Sequence, residues 1–271
     1  MSMRYTGERI LPDIPELRAT FMQSKAVYEF AAGRVVDRTV LDCGAGEGYG
    51  PALLAPEAAL VVGMDYSAEA SRFAATRYGG AGNLCFLQGD AGALPFATDS
   101  FDILCCFQVL EHLEDATSFL FESRRVLRPD GHLLLTTPNR LAAGTGPNPH
   151  HVLEYSRNEL QELLEDVYAD VTVRGVFGSE RVMRYRARNQ KLVQRLLWLD
   201  VFGLRYRLPD RVREPIHAAL TRLTRRATGR SSPDNVFEFT TADYPIGDED
   251  VDRAIDLLAI ATGTHSTQAS P

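Results

Sequence analysis

The chain has 271 residues, of which 45% are hydrophobic and 24% are charged, and its formal net charge is −7. This composition is typical of a soluble globular protein, and it excludes the intrinsically disordered, collagen-like and coiled-coil classes. No membrane-spanning helix is predicted, because an apolar run such as residues 103–107 is far shorter than the roughly 18 residues that a span requires. We therefore expect one or two α/β domains, no signal peptide and a cytoplasmic location.

Short apolar runs alternate with amphipathic stretches from residue 39 to about residue 177. This alternation predicts a Rossmann-like, doubly wound α/β sheet with helices on both faces. Buried strands are predicted at residues 39–43, 60–64, 84–87, 101–106 and 132–136. Helices are predicted at residues 16–32, 48–55, 68–78 and 116–127, the third of them capped by Ser67. Residues 139–152 predict a loop at the carboxyl edge of the sheet, where open α/β folds bind their ligands.

The C-terminal half begins with a helix predicted at residues 156–167, where Ser156 and Glu159 form a capping-box pattern. A strand is predicted at residues 170–177. Residues 179–233 then contain 14 basic and four acidic residues, a net charge of +10 within an acidic chain. Residues 235–241 predict the next strand and residues 248–261 a closing helix. We therefore expect a domain formed by residues 1–178 and 234–271, with an N-terminal cap at 1–35 and a helical lid inserted at 179–233 between strands six and seven.

The segment after the first strand carries the most informative motif, in which Asp42 is followed by glycines at positions 44, 46, 48 and 50. Gly44 and Gly46 allow positive φ angles and a close approach of the backbone to a ligand. A dinucleotide fingerprint requires glycine where Tyr49 stands, and the phosphate-binding Lys-Ser/Thr pair is absent. The Asp42 carboxylate instead suits a ligand that carries an ammonium or sulfonium group.

Two further acidic residues follow predicted strands. Asp65 ends the second strand, at the position where an acid in such folds hydrogen-bonds the hydroxyl groups of a ribose. Asp90 follows the third strand and can accept a hydrogen bond from an exocyclic adenine amine. Each acid alone could simply cap a turn, but three of them at strand ends favour a nucleoside-binding site.

Residues 39–137 resemble the class I S-adenosylmethionine-dependent methyltransferases, and within them the small-molecule enzymes of the quinone-biosynthesis type. The resemblance rests on the Gly-rich loop after Asp42, on Asp65, on residues 89–91 and on the post-strand segment 107–113. The turn at residues 128–131 and the segment 133–139 match the same family. The resemblance implies a seven-stranded sheet whose last strand is antiparallel, with S-adenosylmethionine bound above strands one to four.

The resemblance also implies individual roles for the motif residues. Asp65 would bind the ribose, Asp90 and the Ala91 amide the adenine, and the glycines would lie against the methionine part. Tyr66 would either stack on the adenine or belong to the core. The expected cofactor-binding residues are Asp42, Gly44, Gly46, Asp65, Tyr66, Asp90, Ala91, Phe107 and Gln108.

An oxygen nucleophile needs a base near neutral pH, and histidine is the side chain best suited to that task. The candidate catalytic residues are His112 after the fourth strand and His150 and His151 in the loop after the fifth. A structural role for each histidine remains open. Segment 108–112 also resembles the ubiquinone-biosynthesis O-methyltransferases, in which two Glu and one His hold a divalent metal. Gln108 replaces the first Glu here, and an amide is a weaker ligand for a hard cation, so no metal is expected.

The four cysteines lie in or beside apolar stretches and are expected to be buried and reduced. They are Cys43, Cys85, Cys105 and Cys106. Their spacing matches no zinc-binding pattern. Neither a disulfide framework nor a metal cluster is therefore expected.

Residues 5–12 and 148–155 resemble, more loosely, bacterial methyltransferases of glycan or glycosylated-metabolite assembly. This implies a sugar or polyketide-type hydroxyl as the acceptor, with Tyr5, Glu8, Arg9 and Tyr155 as substrate-binding residues. The basic insertion at 179–233 predicts helices whose arginines face solvent, a phosphate-bearing acceptor or an anionic membrane. The oligomeric state is left open.

Other functions remain open on the sequence alone. They are C- or N-methylation of a quinone-like or amino-sugar acceptor, methylation of RNA, and cofactor binding without catalysis. Nucleic acid is not expected as a partner, because the chain lacks an aromatic platform for single strands. The amine-methylating Asn/Asp-Pro-Pro-Tyr/Phe tetrad is also absent after the fourth strand.

Overall fold

The computed structural model of the chain describes residues 14–142, 151–198 and 236–263, with the backbone alone for residues 193–198. The described residues fall into two compact units. One unit comprises residues 27–142, 151–177 and 246–263 and contains the sheet. The other comprises residues 14–26, 178–198 and 236–245. The expected site residues Tyr5, Glu8, Arg9 and His150, and most of the insertion predicted at 179–233, lie outside the described residues.

The sheet contains eight strands, which are β1 (Thr39–Cys43), β2 (Leu60–Asp65), β3 (Leu84–Gln88), β4 (Phe101–Phe107), β5 (Leu127–Pro138), β6 (Asp170–Val176), β7 (Ile246–Gly247) and β8 (Asp256–Thr262). Their order is β3-β2-β1-β4-β5-β8-β6-β7. Strands β1 to β5 are parallel, and β8 lies antiparallel between β5 and β6. The predicted fold class is confirmed. The sheet has eight strands rather than seven, because the two-residue β7 pairs antiparallel with β6.

Six α-helices connect or flank these strands within the described residues. They are α1 (Arg18–Ala32), α2 (Tyr49–Leu54), α3 (Ala68–Tyr78), α4 (Ala116–Val126), α5 (Arg157–Glu165) and α6 (Glu180–Trp198). The Ser67 side chain caps α3 by accepting from the Ala70 amide, and Ser156 and Glu159 form the predicted capping box of α5. None of the described helices is long and apolar enough to cross a membrane.

Two predictions near the C-terminus are wrong. The strand expected at 235–241 is a 3-10 helix over its described part, Val236–Glu238, followed by a second 3-10 turn at Thr241–Asp243. The closing helix expected at 248–261 is instead a short 3-10 turn, Val251–Arg253, followed by strand β8. Strand β8 is paired on both sides and buried on both faces, and its residues 257–261 accordingly form a continuous apolar run. Periodicity alone cannot distinguish such a run from a buried helix.

The core lies on both faces of the sheet, because its central strands are rich in Val, Leu and Ile. Leu41, Leu104 and Leu133 are fully buried, and each such side chain contributes about 1.5–3 kcal/mol through its transfer from water. Three cysteines are buried as expected, but Cys85 is exposed. It lies in β3, at one edge of the sheet, where one strand face has less cover.

Candidate functional site

The parallel strands place the expected cofactor residues at one edge of the sheet. Asp42, Asp65 and Phe107 lie in the last two positions of β1, β2 and β4 respectively. The chain order reverses between β1 and β4, since β1 is paired with β2 on one side and with β4 on the other. Ligands of open α/β sheets bind in the crevice at such a reversal.

The Gly-rich loop after β1 is fixed by its neighbours. The amides of Gly44 and Ala45 donate to the Met64 carbonyl at 2.8 and 2.9 Å. Gly44 has a φ of +84°, and a Cβ at this position would lie 2.2 Å from Cγ2 of Val109. Gly46 has a φ of +51°, and a Cβ there would meet no atom within 4 Å. Gly44 therefore lets the loop pack on the segment after β4, whereas open space adjoins Gly46.

Asp65 is oriented by two backbone amides. Its Oδ2 accepts from Gly46 at 2.9 Å and its Oδ1 from Ser67 at 2.8 Å. A carboxylate offers about four acceptor positions. One position on each oxygen therefore remains for the two hydroxyl groups of a ribose.

Asp90, Ala91 and Tyr66 lie at the ends of the neighbouring strands. Oδ1 of Asp90 accepts from the Gly92 amide at 2.8 Å, which is the turn-capping bond expected of an isolated acid. The residue is exposed. Ala91 is half-buried. Tyr66 is 76% exposed, which excludes the core position and leaves its ring available for stacking.

Asp42 is the most buried acid of the expected set. Its side chain is fully buried, and Oδ2 accepts a hydrogen bond of 2.9 Å from the Tyr28 hydroxyl. Burial raises the pKa of Asp42 to about 7, the hydrogen bond from Tyr28 opposes that rise, and the nearby Asp65 adds to it.

Phe107 and Gln108 connect this crevice to the end of β4. The Phe107 ring is nearly buried and makes an edge contact with Tyr28, with ring centroids 4.9 Å apart. Gln108 has a φ of +59°, an uncommon conformation for a non-glycine residue. Its amide donates to the Thr136 carbonyl at 2.9 Å. The residue after β4 is therefore held to β5 by a backbone hydrogen bond.

Two of the expected catalytic histidines lie next to each other. The rings of His112 and His151 form an edge contact with centroids 5.0 Å apart. Nδ1 of His151 lies 2.7 Å from Oε1 of Glu154, and both side chains are largely buried. The histidines lie near the Gly-rich loop, because Val109, which packs on Gly44, also accepts from the His112 amide through its carbonyl.

Glu111 ties the two histidine-bearing segments together. Its backbone carbonyl accepts from the Val152 amide at 2.7 Å, and its Oε2 accepts from the Thr137 hydroxyl at 3.0 Å. One potential ligand atom from each of Glu111, His112 and His151 lies within 4.8 Å of the others. This cluster can exchange a proton with a ligand, and its atoms are also close enough to share one cation.

Tyr155, expected to contact the substrate, is buried in the hydrophobic core. Its carbonyl accepts from the Arg140 amide at 2.9 Å, so the residue anchors the chain on either side of the loop after β5. The structure therefore gives Tyr155 a supporting position, and its ring is not exposed to an acceptor.

Sequence reasoning missed two residues of the site. Glu154 follows His151 by three residues, a spacing at which side chains in a turn can meet. Tyr28 lies within the helix predicted at residues 16–32, to which the sequence assigned no role in the site. Its contact with Asp42 joins α1 to β1, and no local pattern reports such a pairing.

The geometry fits S-adenosylmethionine. Oδ1 of Asp42 is buried and has no hydrogen-bond partner among the described residues, so a cationic donor would satisfy it. Asp65 retains acceptor positions for a ribose, and open space adjoins Gly46. The exposed ring of Tyr66 can stack on a purine.

Comparisons with known proteins agree with this geometry. Residues 41–135 match the family model described as a methyltransferase domain. A probable S-adenosylmethionine-dependent methyltransferase of Mycobacterium tuberculosis is 33% identical over 94% of this chain and 88% of the relative. A ubiquinone biosynthesis O-methyltransferase of Serratia proteamaculans is 32% identical over 40% of this chain and 46% of that protein. The crystal structure of the YcgJ protein from Bacillus subtilis has a TM-score of 0.55 at 19% identity, and it covers 89% of this chain and 100% of that one.

Proposed function

The chain belongs to the S-adenosylmethionine-dependent methyltransferases, and we propose that it methylates a hydroxyl group of a small-molecule acceptor. The acceptor class is a sugar or a polyketide-type product. S-Adenosylmethionine is the cofactor, and when bound it supplies an electrophilic methyl group on a sulfonium. The chain's own residues must then orient the acceptor and remove its hydroxyl proton.

The observation that carries the proposal is the pairing of His151 with Glu154. If Nδ1 of His151 donates to Oε1 of Glu154, the lone pair of the ring is on Nε2, which can accept a proton. The bond to Glu154 also fixes the orientation of the ring. The ring centroid of His112 lies 5.0 Å from that of His151, so this second ring can accept or relay the same proton. Transfer to an oxygen nucleophile needs such a base.

The surface beside the histidines supports an acceptor with an apolar part. Leu141, Val152 and Leu153 are each more than half exposed, and the latter two immediately follow His151. Exposed apolar side chains beside a polar cluster are typical of ligand sites, in which a few polar groups fix orientation. The similarity to a ubiquinone biosynthesis O-methyltransferase also favours an oxygen acceptor.

Substitution of the histidines tests the proposal. His151→Ala or His112→Ala should lower turnover by about 10²-fold or more, because general-base catalysis contributes that factor. Affinity for S-adenosylhomocysteine, measured by calorimetry, should not change. His132→Ala is the matched control, since His132 is exposed in β5 and pairs with Ile103 near the opposite end of β4. Unchanged turnover in both histidine variants would show that the reaction needs no histidine base, as for a carbon or amine acceptor.

Excess chelator separates a base from a metal site. Because the amide of Gln108 is a weaker ligand for a hard cation than a carboxylate would be, activity should persist in EDTA while His151→Gln loses it. Loss of activity in EDTA, restored by a divalent cation, would instead assign the cluster of Glu111, His112 and His151 to metal binding.

A further inference from the structure

The carboxyl group of Asp42 combines three features that no other acid of the described site has together. It is fully buried, its Oδ2 accepts from the Tyr28 hydroxyl at 2.9 Å, and its Oδ1 has no partner among the described residues. An unpaired oxygen of a buried carboxylate is energetically unfavourable. A donor carried by the ligand would relieve that cost.

Tyr28 is held so that its hydroxyl stays on Asp42. Its ring makes edge contacts with Tyr49 and Phe107, at centroid distances of 5.7 and 4.9 Å. Gly50 makes room for the ring, because a Cβ at this position would lie 2.0 Å from Cζ of Tyr28. The side chain is 5% exposed. The direction of the hydroxyl is therefore fixed by packing before a ligand binds.

We propose that Tyr28 is a positioning residue that aims the Asp42 carboxylate at the cationic methionyl end of the cofactor, and that cofactor binding expels a proton from Asp42. Tyr28 acts through Asp42 and contacts neither the methyl group nor the acceptor. The inference concerns the cofactor alone, so it is independent of which acceptor is methylated.

The charges around Asp42 support this coupling. The titratable groups that act on Asp42 or on Tyr28 are Tyr49 from α2, Asp65 from β2 and Cys105 from β4. Asp42 in turn acts on the thiols of Cys43 and Cys106. None of these groups is cationic. Burial accordingly holds the pKa of Asp42 near 7 in the free protein, and an approaching ammonium or sulfonium group would lower it.

The sign of the pH dependence follows from this. Above pH 7 Asp42 is already ionised, and a cationic ligand binds without proton exchange. Below pH 7 the Asp42 carboxyl group carries a proton that must leave when the cationic ligand binds. The dissociation constant of that ligand should therefore rise by about tenfold for each unit by which the pH is lowered. Binding at pH 6 should release about one proton, and binding at pH 8 almost none.

Calorimetry of the full chain with S-adenosylhomocysteine, in two buffers of different ionisation enthalpy, measures this proton release. 5′-Methylthioadenosine is the matched ligand, because it keeps the nucleoside but lacks the methionyl amine and carboxylate. We expect proton release at pH 6 with S-adenosylhomocysteine and none with 5′-methylthioadenosine. Absence of release with the first ligand, or equal release with both, would overturn the proposal.

Variants then test the role of Tyr28. Tyr28→Phe keeps the ring contacts but removes the bond that stabilises the ionised Asp42, so the pH at which affinity begins to fall should move upward. Asp42→Asn should abolish proton release and weaken binding at pH 8. Tyr168→Phe is the control, because it removes another buried tyrosine hydroxyl, which bonds Ser123 at 2.7 Å, and should leave the pH dependence unchanged.

If the pH dependence of affinity has the same midpoint in Tyr28→Phe as in the wild type, Tyr28 has only a packing role. If Asp42→Asn still releases a proton on binding S-adenosylhomocysteine, the proton comes from another group. Either result contradicts the proposal. If Tyr28→Phe does not fold, the ¹³C-carboxyl titration of wild-type Asp42 decides instead. It should show a midpoint near 7 that moves down when S-adenosylhomocysteine binds, and an Asp42 ionised throughout would refute the coupling.

Discussion

At the scale of single residues, Asp65 is the acid that we propose binds the ribose of the cofactor. Two backbone amides, from Gly46 and Ser67, each bond one of its oxygens. The Gly46 amide belongs to the Gly-rich loop that we propose lies against the cofactor, so this bond holds the loop and the carboxylate in one arrangement. Hydrogen bonds from a ribose to this carboxylate then need no reorganisation of the protein, which favours affinity.

Replacement of Asp65 by Ala should weaken the binding of S-adenosylhomocysteine. Each hydrogen bond to a charged group contributes about 1.5–3 kcal/mol, which corresponds to a loss of affinity of about 10- to 100-fold. Calorimetry measures the change. Asp99→Asn is the control, because Asp99 is exposed just before β4 begins and Asn also tolerates its φ of +56°.

An Asp65→Ala protein that binds the ligand as tightly as wild type would remove the ribose assignment. Tighter binding of NAD than of S-adenosylhomocysteine by the wild-type protein would contradict the assignment of the whole crevice.

The residue scale also shows where sequence reasoning succeeds. Asp42, Asp65 and Asp90 were predicted to lie at strand ends, and the structure places them at or just beyond the ends of β1, β2 and β3. Their positions follow from the local pattern of a buried strand that ends in an acid. Tyr28 and Glu154 were not predicted as site residues. Their roles depend on tertiary contacts, with Asp42 and His151 respectively, which sequence spacing does not report.

At the scale of secondary-structure elements, the predictions for α3 and β1 agree with the structure at both ends, and those for β2, β3 and β4 differ by one residue. These elements have clear caps or flanking turns. The segment of strand β8 is predicted as part of a helix because its residues 257–261 form an unbroken apolar run without strand alternation. It is the antiparallel strand between β5 and β6, and only its partners in the sheet define it as a strand.

Helix α6 begins at an anchor that the sequence did not predict. Asp243, in the 3-10 turn Thr241–Asp243, accepts from both Nε and Nη2 of Arg181 and from the hydroxyl of Ser179. The Tyr185 ring of α6 contacts the Phe239 ring edge-on at 5.9 Å. The lid predicted at residues 179–233 therefore leaves out Phe239 and Asp243, which hold the start of α6 in place. The start of α6 is fixed to residues that follow it by about sixty positions.

Removal of this anchor should destabilise the protein. Hydrogen bonds from Arg181 lower the pKa of Asp243 well below its usual value. Asp243 therefore stabilises the folded state fully above the pKa that it has in the unfolded chain, and this stabilisation is lost as the pH falls from there towards the pKa in the folded state. Asp243→Ala should reduce the free energy of unfolding by about 2–3 kcal/mol at pH 7. Urea denaturation should show a smaller difference from wild type at pH 3.

The control for this change is Asp248→Ala. Asp248 also pairs with an arginine through two bonds, to Arg174, but it is exposed, and exposed ion pairs contribute little. Equal losses from the two substitutions, or a loss at Asp243 that does not depend on pH, would contradict the anchoring role.

At the scale of the whole molecule, one unit contains the sheet, the described cofactor residues and the pair of His112 and His151. The second unit contains α6 and its anchor. The described residues that we propose for cofactor binding, and the two described histidines that we propose act on the acceptor, therefore lie in one compact unit of the chain. The sequence predicts that the site residues lie together at the carboxyl edge of the sheet, because parallel strands bring their ends together there.

We propose that the protein transfers a methyl group from S-adenosylmethionine to a hydroxyl group of a small molecule. The most direct measurement incubates the full chain with methyl-labelled S-adenosylmethionine and a cell extract, then separates small molecules from protein and nucleic acid. We expect the label in the small-molecule fraction as a methyl ether, reduced with Asp65→Ala when the cofactor is limiting and strongly reduced with His151→Ala. Label recovered in nucleic acid or protein, or on carbon or nitrogen of a small molecule, would contradict methyl transfer to a small-molecule hydroxyl group.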